Sequence, residues 1–142
     1  MEAKLNHLLA NAIVEYHKLQ GMHWFVSGQD FFQAHAKLEE LYDSILPMVD
    51  EVAETILQRS GTPVSTLAEV SALASIQERP SVPLTSAEAF VTVSQDFASL
   101  LEEVTSVKAA ADSESDYLVS AQMDGYIAQL SKTLWMLRQQ RA

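Results

Sequence analysis

SGTPVSTLAEVSALASIQERPSVPL, residues 60–84, separates two stretches of long helical patterning and decides how they connect. It is too long for a hairpin turn between antiparallel neighbours, so the chain must cross the molecule here. Ser60-Gly61-Thr62-Pro63 reads as a helix stop followed by a turn. Thr66 to Ile76 is apolar enough to predict a short helix, and Pro80 and Pro83 close the segment.

Upstream, a helix is predicted from about Ala3 to Val26, on a stripe of Leu5, Leu8, Ala12, Tyr16, Leu19 and His23. A short turn around Ser27-Gly28 leads into a second, from about Phe31 to Arg59. It carries Leu38, Tyr42, Ile45, Val49, Val52 and Ile56 three and four residues apart. Downstream, Thr85-x-x-Glu88 reads as a capping box opening a third helix with Phe90, Val93, Phe97, Leu100, Val104 and Val107. A fourth follows Ser113 or Ser115 and carries Met123, Ile127, Leu130, Leu134 and Leu137, with Trp135 read as core. No alternating β-branched run or Asn-Gly hairpin signals a strand. The predicted fold class is all-α, a four-helix bundle with a short extra helix in the crossover between helices two and three. One long crossover of this kind is the ferritin-like topology. No repeat or boundary divides the chain, so residues 1–142 read as one domain.

A chain of 142 residues, 48% hydrophobic with only four glycines and four prolines, can bury a real core. It has no cysteine, which excludes disulfides and thiolate metal sites and fits a reducing cytoplasm. MEAKLNHLLA shows no signal-peptide pattern, and no apolar run is long enough to cross a bilayer. Nineteen acids against nine bases give a net charge of −10, a field that repels phosphate backbones and membrane surfaces and attracts cations. Only Lys4, Arg138 and Arg141 offer anything basic near the ends.

Set in this framework are His23, His35, Asp50 and Glu54. Asp50 and Glu54 are i,i+4 partners, turned by a helix toward the same neighbour. Asp50 also lies in a row with Leu46, Ala53 and Leu57. Acids and histidines on buried faces cost free energy unless paired, hydrogen-bonded or bound to metal. Two imidazoles with two carboxylates suit a divalent first-row metal such as iron, manganese or zinc. His35 and Asp50 are about 60° apart in phase but roughly 22 Å apart along one helix, so one copy cannot place both on one ion. Two antiparallel copies of helix two, related by a twofold near Ser44, would set His35 of one against Asp50 and Glu54 of the other. Pro47, between the two groups, removes the bond to the Asp43 carbonyl and predicts a kink. His7 and His17 read as surface or interface residues without an assigned role.

The run His23-Trp24-Phe-Val-Ser-Gly28, then Phe31-Phe32, His35, Glu39, Tyr42-Asp43 and Asp50-Glu-Val-Ala-Glu54, closely resembles the Dps family (DNA-binding proteins from starved cells, or miniferritins). The resemblance continues through Gly61-Thr-Pro63, Ser65-Thr66-Leu67, Ala74-Ser75-Ile76 and Trp135-Met-Leu, essentially the whole chain. It implies a homo-oligomer, a hollow dodecamer, with a ferroxidase centre between subunits that oxidises Fe(II), preferentially with hydrogen peroxide, and stores the ferric product. His23 and His35 would be ligands from one subunit, and Asp50 and Glu54 from its twofold mate. Glu39 falls where the family often has a further acidic ligand, with room for two irons per site and zinc as a competitor. Trp24 looks like the family's redox-active aromatic. Asp112, Glu114 and Asp116 stand where acids line the family's pores, with Asp116 the best candidate.

Two departures qualify the resemblance. Thr55 stands where the family commonly has Arg, which removes a supporting ion pair. The helical pattern begins almost at Met1, without the Lys-rich tail of DNA-binding members, and with the −10 charge this argues against DNA as a partner. The rival readings are a nucleoid-compacting DNA binder and a non-catalytic zinc-binding shell.

Overall fold

The structure, a computed structural model, describes residues 1–140; Arg141 lies outside the described residues. Five helices follow one another: α1 (Glu2–Phe25), α2 (Phe31–Gln58), α3 (Leu67–Leu73), α4 (Ser86–Ser113) and α5 (Tyr117–Gln140). Helix α1 packs along α2 and α4 along α5, while α3 lies against α1 in the crossover. This is the ferritin-like bundle with its extra short helix. No described helix is long and apolar enough to cross a membrane.

Local chemistry sets the ends of these helices. Gly28, at φ 131°, makes the turn between α1 and α2, in a conformation that L side chains rarely adopt. At the end of α2 the left-handed residue is Ser60, at φ 63°, so Gly61 serves another purpose. A Cβ there would collide with the Glu2 side chain, whose carboxylate accepts the Thr62 amide. The complete capping box belongs to α3, where Thr66 and Glu69 satisfy each other's backbone amides at 3.1 Å. At α4 only half of the predicted box forms, Thr85 accepting from the Glu88 amide at 3.2 Å. The first turn of α5 is held by Asp116, which accepts the Val119 amide at 3.3 Å. The crossover returns beside the end of α1, where the Ser27 amide donates to Leu84 at 3.0 Å.

The predicted stripes of α1, α2, α4 and α5 converge on one apolar core, with Phe97, Leu100, Leu38, Ile45 and Met123 fully buried. Three details differ from the periodicity. On α1 the residue facing inward at mid-helix is Glu15, whereas Tyr16 is only half-buried. Trp135 is 52% exposed, because Leu130 and Leu137 take the inward face of α5 and leave Trp135 on the outward one. The row around Asp50 faces out as well, with Leu46 47% and Leu57 59% exposed. Helix α2 is continuous through Pro47, where flanking Ile45 and Met48 are anchored in the core and the unpartnered Asp43 position is exposed.

Candidate metal centre

His23 closes the last turn of α1 and His35 opens the second turn of α2, so the tight Gly28 turn brings them together. Their rings stack with centroids 3.6 Å apart and planes 13° from parallel. His23 Nδ1 lies 2.7 Å from the His35 carbonyl oxygen, and His35 Nδ1 lies 2.8 Å from the His23 carbonyl oxygen. A carbonyl can only accept, so each Nδ1 carries the proton and donates. In the neutral ring that leaves both Nε2 atoms as bare lone pairs, the form a metal requires. The His23 carbonyl is available because it is one of the last four of α1, which have no partner within the helix.

Aromatic rings fix this pair further. Phe31 stacks on His35 at 4.9 Å, and Tyr42 meets His23 edge-on at 5.4 Å, itself backed edge-on by Tyr16 at 5.5 Å. Glu39, an exposed side chain on α2, places a carboxylate oxygen 3.8 Å from His23 Nε2. Trp24 follows His23 in the chain but turns outward, 58% exposed, with its ring edge-on to His17.

Asp50 and Glu54 are side by side and exposed further along α2. Hydrogen bonding to Asp50, and then repulsion between the two carboxylates, raise the Glu54 carboxyl above its ordinary range. Among the described residues no three His, Asp or Glu side chains of one chain gather where they could hold a metal ion. The chain thus presents two separate groups of donor atoms, the imidazole pair across the α1–α2 turn and the carboxylate pair further along α2.

The supporting residues were not all legible from local pattern. Thr55, beside Glu54, is buried and accepts from the Gln122 amide at 2.9 Å, a neutral hydrogen bond at the position where the resemblance notes the loss of an ion pair. At the α4–α5 junction Asp116 is engaged within the subunit, with Arg59 Nε 2.8 Å from Oδ2. Asp112 accepts from Ser120 and lies 3.7 Å from Lys108, whereas Glu114 is exposed.

The ferritin-like domain family matches residues 2–142 of the chain. The DNA protection during starvation protein of Helicobacter pylori is 35% identical over 133 residues, covering 94% of this chain and 92% of that protein. Among solved structures, Helicobacter cinaedi CAIP superposes with a TM-score of 0.97 at 34% identity, over 100% of both chains. A Vibrio cholerae Dps protein, described as a member of a superfamily of ferritin-like diiron-carboxylate proteins, gives a TM-score of 0.96 at 32% identity. It matches 99% of this chain and 88% of its own.

Proposed function

The chain belongs to the Dps family of ferritin-like proteins, and from that membership we propose that it is a ferroxidase and iron store that consumes hydrogen peroxide in the cytoplasm. The observation that carries this reading is the reciprocal histidine lock. It presents two unprotonated Nε2 atoms beside Glu39 as half of a ligand set. The other half, Asp50 and Glu54 of a twofold-related copy, would face it across the subunit contact. The exposed Leu46 and Leu57 that flank these acids support such a contact, since apolar rows of this kind call for a partner. The proposed assembly is a dodecamer with a central cavity for the ferric product.

Fe(II) is the substrate, drawn by the −10 field and admitted at acidic junctions that include Asp112, Glu114 and Asp116. Of these, Glu114 is the least engaged within the subunit. Neutral imidazoles keep the ligand set from becoming strongly anionic, while carboxylates favour the harder Fe(III) product. With two irons at one centre, each gives one electron to the peroxide. Its O–O bond breaks, two protons are taken up, and two waters form without free hydroxyl radical. Trp24, beside the centre, is the proposed sink for a stray oxidising equivalent.

The test is anaerobic loading with Fe(II) followed by a limiting pulse of peroxide, monitored by absorbance and a radical trap. Rapid oxidation of two irons for each peroxide, with no trapped radical, is expected. Slow oxidation with radical release, or none, would instead favour a shell holding zinc, which has no redox chemistry. Protection of DNA, in this reading, comes from removing Fe(II) and peroxide rather than from coating the duplex. A gel shift at low salt without divalent ions should accordingly show no complex, and tight binding there would overturn that part of the proposal.

A further inference from the structure

Glu15 is the one carboxylate on the core-facing stripe of α1, at 0% exposure, and no donor group reaches either of its oxygens. The side chain beside it is another acid, Asp96 of α4. Lys18, one turn along α1, places Nζ 2.8 Å from Asp96 Oδ2, and all but a small part of both side chains is shielded from water. The charged groups acting on Glu15 are therefore Asp96 from α4 and Lys18 from α1; α2, α3 and α5 contribute none.

Two carboxylates facing each other in a core cannot both be ionised beside one ammonium group, because one negative charge would be left unbalanced in a medium of low polarity. Two acceptors in contact also need a proton between them. We propose that Glu15, Asp96 and Lys18 form a one-proton lock across the seam between α1 and α4. Glu15 is the neutral acid and donates to Asp96, Lys18 balances the single remaining charge, and loss of that proton as pH rises loosens the seam.

Burial, followed by the neighbouring Asp96, pushes the Glu15 carboxyl well above its ordinary range, which agrees with the geometry. An acid that keeps its proton in the fold but ionises freely when unfolded makes stability fall as pH rises. The fall begins at the ordinary carboxyl range and continues up to the raised range of Glu15. Below that window the full contribution is present, and above it the loss is complete. The lock is set apart from the metal centre: Glu15 lies two turns of α1 before His23.

The test compares the full-length protein with Glu15→Gln, an isostere that keeps the donor and cannot ionise. Unfolding is followed by denaturant titration from acid to alkaline pH. The ratio of the two unfolding constants should change by about tenfold per pH unit within the window, with the variant gaining as pH rises. Infrared difference spectra taken just above the ordinary carboxyl range should show a buried carboxylic acid band in the wild type that the variant lacks. The band can also be sought in the wild type by isotopic labelling of glutamate, should the variant fold poorly. Parallel pH profiles for the two proteins, or a wild type without the acid band, would overturn the proposal.

Discussion

Asp50→Ala is expected to slow peroxide-driven Fe(II) oxidation by more than about 100-fold, the upper end of what losing even a hydrogen-bonded partner of a ligand costs. Asp50 is exposed and belongs to no core contact, so the fold and the assembly should be untouched. Substitutions away from core and network features stay within about 0.5 kcal/mol. Glu54 would not compensate. Once Asp50 is gone it is the facing subunit's single carboxylate, opposite His23, His35 and Glu39. Stopped-flow absorbance together with size-exclusion chromatography checks both halves of the expectation. A correctly assembled variant that turned over normally would remove Asp50 from the centre and, with it, the intersubunit arrangement proposed for the site.

The second large effect is expected far from the metal, at Asn11→Ala, which should destabilise the fold by roughly 2–4 kcal/mol. Asn11 is buried where α1, the crossover and α4 meet. Its side-chain oxygen accepts the Ser75 and Ile76 amides at 2.8 and 3.0 Å, and its amide donates to Glu103 at 2.8 Å and to Ser75 Oγ at 3.1 Å. Alanine would strand the buried Ile76 amide, and an unsatisfied buried group costs roughly 1–3 kcal/mol. The Ser75 amide is better placed for water, which keeps the total below the simple sum. Glu103 would retain His7, which pairs with its other oxygen. The loss should appear as a lower urea midpoint at unchanged slope, and early proteolysis should fall between residues 60 and 84. An unaltered midpoint would mean that the crossover is held without the Asn11 hydrogen bonds.

These two residues mark the boundary between what was readable in the chain and what was not. Asp50 and Glu54 were legible because an i,i+4 pair is a local fact: any helix through residues 31–58 must set them side by side. The same reasoning recognised His35 and Asp50 as too distant to share an ion within one subunit. Asn11 gave no such signal, since its partner amide at Ser75 lies 64 positions further on. Asp116 was legible as an acid at a junction, but its pairing with Arg59 spans 57 positions. No spacing rule reports a contact of that kind.

The sequence by itself determined the number, order and approximate ends of the helices, the long crossover, and the apolar stripes that meet in the core. All of these follow from period and capping within one or two turns of chain. Only the tertiary structure decided which way each helix is rotated about its axis. Rotation is settled by the neighbouring helices, whose packing puts Glu15 rather than Tyr16 at the centre of the bundle and turns Trp135 outward. Tertiary structure likewise decided that His23 and His35 each donate from Nδ1 to the other's backbone carbonyl and so, as neutral rings, present bare Nε2 atoms. A tautomer depends on which acceptor comes within reach, and that acceptor arrives from a different helix.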